Sequence, residues 1–428
     1  MKTIFRLFSL AALSAVIAAG AAISFAQDPC ADTAGQEALS NKVRELYAKT
    51  DMPSQAAKIE AGKQYMEKYG ACTADAIKEF NAYLTPNLPK WEAAYAKAKE
   101  QQEIDALVAK FNTALTAKNW DDVYASGKEL LNRRPDEFRA VELVLGTIGL
   151  DETANNKNKK WNDDTIKYAK MSIADLESGK TFKTFGVNPG FMYKSKDDAL
   201  GWMNYTVGYL LYFDKNNKKE ALSYLYKASQ STSETRNNPV LYQTIGSYYF
   251  DDVRTLANEV QELIKAQDPN ATPEIQKQQV DAIKAKVAMV NGTSEAAIDA
   301  YARAYLIAKK DTKKFPATYT DSLYKTLQDL YNVRFGKTEG VDAWIAGVER
   351  KPMPNPLLPV TPISDPDPTA PADSTSGSTT APATTPATTK PAPAAAPKTD
   401  TAPAKPAAKP VAGKPQSGMK KTSKKRSA

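Results

Sequence analysis

The 428-residue chain contains no histidine, which removes the commonest general base and the commonest protein metal ligand. It also lacks a glycine-rich phosphate loop, a nucleophile elbow and any zinc-ligand spacing. Cysteine is nearly absent: Cys30 and Cys72 are the only two, and they form no C-x-x-C pair. A nucleophilic or redox thiol would therefore have neither a partner cysteine nor an imidazole to activate it. No metal, no cofactor and no enzymatic activity are expected. Long apolar runs are missing as well, except at the start of the chain.

That start reads as an export signal. Lys2 and Arg6 precede an apolar run from Leu7 to about Ile23, followed by Ser24-Phe25-Ala26 before Gln27. A charged, then apolar, then small-residue order marks a cleaved secretory signal peptide over residues 1–26. The run is short and alanine-rich for a membrane span, which takes about 20 strongly apolar residues, so the mature chain is expected to be soluble, in the periplasm, outside the cell or associated with the envelope. In such a compartment disulfides persist, and a Cys30–Cys72 bridge is expected to pin the mature N-terminus to a helical hairpin.

Aromatic residues vanish from the C-terminal part. Residues 351–428 hold 17 of the 27 prolines and no Phe, Trp or Tyr. Tracts such as Thr379-Thr380-Ala381-Pro382 have too little apolar surface to offset their ordering entropy, which predicts a disordered tail over 351–428. The basic excess also resides there, because the tail carries 11 basic and 4 acidic residues. The end of the chain, with Lys420, Lys421, Lys424, Lys425 and Arg426, is a compact polycation. It is suited to salt-sensitive attachment to an anionic envelope polymer, or to service as a solubilising spacer. Specific nucleic-acid binding is not expected, since the tail has no aromatic on which a base could stack.

Between these ends, apolar residues recur at three- and four-residue spacing, as in Ile104, Leu107, Val108, Phe111, Ala114 and Leu115. That periodicity predicts helix after helix, with an N-terminal helical segment over 27–100, a repeat region over 101–350, and loops at 151–160, 180–196 and 266–293. A repeated grammar runs through the larger region. Residues 118–136 place Trp120 at a helix start, Val123 and Gly127 on one face, Leu130 and Leu131 after them, and Pro135 at the close. Ala221, Leu225 and Ala228 repeat an A-x-x-x-[FYL]-x-x-A spacing, and Ala297, Tyr301 and Ala304 repeat it again. Gly246 and Tyr249 occupy places typical of a first helix, while Gly336, Val341, Ile345 and Val348 indicate a last, weaker second helix. The pattern resembles the tetratricopeptide-repeat (TPR) superfamily, in a divergent exported bacterial form. The resemblance implies an all-α fold, an α-solenoid of four or five stacked TPR-like helical hairpins.

Two echoes accompany the grammar. Trp120-Asp121-Asp122 recurs as Trp161-Asn162-Asp163-Asp164, and Tyr212-Phe213-Asp214 recurs as Tyr249-Phe250-Asp251, 37 residues on. Adjacent acids on a helix point about 100° apart and converge poorly on one substrate atom; solvated first-turn acids are the plainer reading. The second echo is the sharper clue. First helices of such arrays line a concave surface, and the resemblance implies that Phe213, Asp214, Phe250 and Asp251 contact a partner there. The alternative is that the phenylalanines fill contacts between hairpins and the aspartates cap turns. The functional expectation is a protein-interaction scaffold of the cell envelope that takes a peptide or protein partner in a helical groove. The other reading is an extracytoplasmic binding protein for glycan or peptide nutrients.

Overall fold

The computed structural model describes residues 28–187 and 189–365. The expected signal peptide and the cationic cluster of Lys420, Lys421, Lys424, Lys425 and Arg426 lie outside these residues. Among the described residues every regular element is helical, and no helix is long and apolar enough to cross a membrane. Two compact units divide at Leu107, somewhat beyond the boundary at 100 read from sequence.

The first unit contains α1 (Thr33–Tyr47), α2 (Met52–Tyr69) and most of α3 (Asp75–Ala117). Asp32 and Asp51 cap α1 and α2 by accepting from the backbone N–H groups of Gly35 and Ser54. Such caps contribute about 1 kcal/mol each. Val43, Ile59, Tyr65, Tyr69, Ile77, Leu84 and Leu88 form the core. The Tyr69 hydroxyl donates to Asp32 Oδ2 at 2.6 Å, a bond that holds Asp32 below the usual carboxylate range and pushes Tyr69 up to about 12. Beside it the Cys30–Cys72 disulfide joins residues 42 apart in sequence, as expected. The short leader before α1 is thus held on α2 by one covalent and one charge-assisted link.

The second unit follows with α4 (Trp120–Arg133), the single turn α5 (Pro135–Phe138), α6 (Ala140–Asn156), α7 (Asn162–Glu177), α8 (Lys196–Phe213), α9 (Lys218–Gln230), α10 (Pro239–Lys265), α11 (Pro273–Lys310), α12 (Ala317–Phe335) and α13 (Val341–Val348). Asn119, Ser195, Asn217, Asn238 and Thr272 each cap the helix that follows. Proline takes the first helical position of α10 and α11, where a missing N–H costs nothing. The expected loop over 266–293 shrinks to residues 266–272. The Thr272-Pro273 start signal and a run of good helix formers carry α11 straight through the rest.

Each helix from α6 to α12 packs on the next, and α4, α6, α8 and α10 also touch in that order. Glycines sit where the partners approach closest. A Cβ on Gly208 of α8 would lie 2.7 Å from Leu225 Cγ of α9, and one on Gly246 of α10 would lie 2.7 Å from the Tyr301 ring of α11. Ala221, Leu225 and Ala228 are fully buried, as are Ala297 and Ala304. One continuous apolar core runs from Leu143 to Met353.

Several polar and charged groups are buried within this unit, among them the carboxylates of Glu142, Glu152, Asp198 and Asp299. Glu142 on α6 is 4% exposed and its Oε2 has no hydrogen-bond partner. Burial first, then the negative charge of Asp175, push it up to about 7, against the pull of Arg139 and Lys180. The folded chain therefore binds an extra proton between the ordinary value of 4.5 and about 7, so stability falls as pH rises through that window. Glu142→Gln is expected to stabilise the chain at pH 8 by roughly 1 to 3 kcal/mol and to leave it nearly unchanged at pH 4.5, measured by urea denaturation at both values. For the first unit, reduction of Cys30–Cys72 should remove roughly 3 to 4 kcal/mol; hydrogen exchange of α1 and α2 should accelerate while that of α8 stays constant.

Candidate functional site

The four candidate partner contacts of the Tyr-Phe-Asp echo, Phe213, Asp214, Phe250 and Asp251, are engaged in packing and ion pairs. The Phe213 ring lies 4.7 Å from that of Tyr209 and 4.9 Å from that of Tyr212, half-buried against the core. Asp214 caps the C-terminal end of α8 and pairs with Lys159 at 3.1 Å and Lys215 at 3.2 Å. Burial raises its proton affinity, but the hydrogen bonds from Asn162, Lys159 and Lys215 outweigh that and hold it below the ordinary value. Phe250 is half-buried against the same core. Asp251 pairs with Lys218 of α9 at 2.7 Å, and the same ammonium sits 5.3 Å from the centre of the Tyr212 ring.

The echo is also out of step with the backbone. Tyr212 follows Gly208 by four residues and Tyr249 follows Gly246 by three. Measured from those close-approach glycines, the two tripeptides are displaced by one residue, which turns a side chain about 100° around its helix. The helices also differ in length beyond the echo: Asp214 ends α8, while Asp251 sits well inside α10, which continues to Lys265.

Another feature of the second unit was not read from sequence. Order continues past residue 350: Met353 is buried, and residues 352–365 run along α11 as an irregular segment with a turn at residues 355–358. Arg303, itself paired with Asp299 at 2.7 Å, donates to the carbonyls of Val348 and Lys351 at 3.1 and 2.9 Å. At the far end the Ile363 N–H donates to the Ala288 carbonyl at 2.8 Å, and Asn291 Nδ2 donates to the Ile363 carbonyl at 3.0 Å. Arg334 closes the arrangement, bonding Asp365 and Glu295 at 2.9 Å each. Gly292 makes the close approach feasible, because a Cβ there would lie 2.1 Å from the Thr361 carbonyl oxygen.

Between its two anchored ends this strap roofs a cleft of about 380 Å³. Tyr248, Tyr249, Asp252, Thr255 and Leu256 of α10 and Met289 and Thr293 of α11 form the floor and walls, and Pro356, Leu358, Pro359 and Val360 form the roof. The volume falls in the range of small-ligand pockets. No basic residue lines it. The Asp252 carboxyl is pushed up by burial and by its neighbour Asp251, with Lys218 acting in the opposite sense. Chemically, the cleft offers two phenol rings, an apolar roof and one anionic group; among the described residues no cluster of His, Cys, Asp and Glu could hold a metal ion.

The residues that build this site, Asn291, Gly292, Arg334 and Asp252, belong to no motif. One signal was available in the tail composition: Met353, Leu357, Leu358, Val360 and Ile363 all precede Asp365, whereas beyond it Leu, Ile, Phe, Trp and Tyr are absent. Apolar content, rather than proline content, was the signal for the docked segment 352–365. Gly292→Ala is expected to eject the strap by overpacking, at a cost of roughly 1 to 3 kcal/mol; limited proteolysis should then cut within 352–365 at least about tenfold faster, with the helical circular dichroism unchanged.

No family model, no curated protein and no solved structure matches this chain.

Proposed function

We propose that this chain is an exported, TPR-like protein-interaction scaffold of a bacterial cell envelope, with its second unit an α-solenoid that takes partner segments in a helical groove. The observation that carries the reading is the strap: a segment without regular secondary structure runs along α11, held by backbone and side-chain bonds to Ala288, Asn291 and Arg334. A helical surface that holds one such segment in this way has the donors and the relief to hold another. The order of helix contacts, with α4, α6, α8 and α10 adjacent, α7 packed on α6 and α8, and α9 on α8 and α10, supports the tetratricopeptide-like arrangement. A disulfide and the lack of a membrane-crossing helix among the described residues fit an extracytoplasmic location. The cationic end of the chain would then serve as an electrostatic tether to an anionic envelope polymer. A role as a binding protein for peptide or glycan nutrients is the second reading, favoured by the roofed cleft.

The scaffold reading is tested by capture from envelope extract with the full mature chain. Wild type is expected to retain a discrete protein, and Tyr248→Ala/Leu256→Ala to retain at least about tenfold less, provided both melt at the same temperature. Equal retention by the two, or none by wild type, rejects the groove as a partner site.

A further inference from the structure

The cleft beneath the strap has a more specific chemistry than the scaffold reading requires. Asp252 is half-buried, and among the described residues no hydrogen bond or ion pair engages its carboxylate. The nearest source of compensation, Lys218, is committed to Asp251 at 2.7 Å. Tyr248 and Tyr249 lie beside the carboxylate on the same turn of α10, and their rings are 5.9 Å apart at 77°. A half-buried carboxylate without a counter-ion favours the arrival of one. The half-buried Tyr248 ring beside it offers a cation a further quadrupole interaction. The apolar roof of Pro356, Leu358 and Pro359 matches an aliphatic stem rather than a hydrated ion.

We infer that this cleft binds the side chain of a lysine or arginine carried by an extended partner peptide, with the cation on Asp252 and the stem between Tyr248 and the strap. The inference rests on the scaffold reading and adds the class of side chain that the groove selects. Charge complementarity separates this occupant from others: an acidic side chain would meet Asp252 with like charge, and a purely apolar one would leave the carboxylate buried and unpaired. Leu357 and Leu358, 52% and 64% exposed, show that the roof is not itself sealed into the core, so its central residues have room to lift while Arg303 and Arg334 hold the ends.

The test is calorimetric titration of the full mature chain with two synthetic hexapeptides, acetyl-Ala-Pro-Leu-Lys-Leu-Pro-amide and the same peptide with norleucine in place of lysine. The lysine peptide is expected to bind at least about tenfold more tightly. Asp252→Asn should abolish that difference by weakening the lysine peptide alone, while Asp268→Asn, on the exposed loop between α10 and α11, should leave both affinities unchanged. Equal binding of the two peptides by wild type, undiminished lysine preference in Asp252→Asn, or no binding of either peptide overturns the inference. The two readings fail separately: if envelope capture persists undiminished in Asp252→Asn, the scaffold stands without this selectivity, and if wild type captures nothing yet discriminates between the peptides, the cleft stands without the scaffold.

Discussion

Two helices can come within touching distance of their backbones only where one of them lacks a side chain, and the second unit depends on that constraint. At Gly146, Gly208 and Gly246 an added Cβ would lie within 3 Å of Ala169, Leu225 and Tyr301 respectively. These contacts set α6 on α7, α8 on α9 and α10 on α11. Alanines on the facing helices, at 169, 221, 228, 297 and 304, complete the close fit. Large side chains fill the space the glycines leave, Leu225 over Gly208 and the Tyr301 ring over Gly246, while Tyr205, Tyr209 and Tyr212 are buried along α8. Glycine facing a large side chain within a hairpin gives a core that is closely packed and continuous.

The acidic pairs take their places from the same arrangement. Lysine reaches across from a neighbouring element to Asp121, Asp163, Asp164 and Asp251, through Lys160, Lys215, Lys128 and Lys218. These are largely exposed pairs, each worth little by itself, but they leave those carboxylates occupied. Asp252 differs because its neighbour has already taken the nearby lysine. A doublet of acids on one helix thus resolves into one structural member and one that faces a cleft.

Helix starts were legible where periodicity and capping residues act within a few positions of each other, as at Asn119-Trp120, whereas the start at Thr272-Pro273 was hidden in a stretch read as a loop. The disulfide was legible because only one pairing of two cysteines exists. Relations that depend on distant sequence were not. Residues 352–365 read as disordered by proline content, yet they are held by Asn291 and Arg334, 72 and 31 residues away from their partners Ile363 and Asp365. The Tyr-Phe-Asp echo failed as a guide to equivalent positions for a related reason. A repeated tripeptide fixes local identity, whereas the side chain's direction is fixed by its count from Gly208 or Gly246, and those counts differ by one.

The strap also decides how a mechanical load enters the molecule. Tension applied beyond Asp365 meets the Arg334–Asp365 ion pair first, then the two bonds around Ile363, then the Arg303 grip on Val348 and Lys351. Bonds loaded in series from one end yield one at a time, so the segment peels instead of shearing. A pull too weak to unfold any helix would thereby uncover the floor of α10 and α11, and force applied to the chain beyond Asp365 would act on its own cleft.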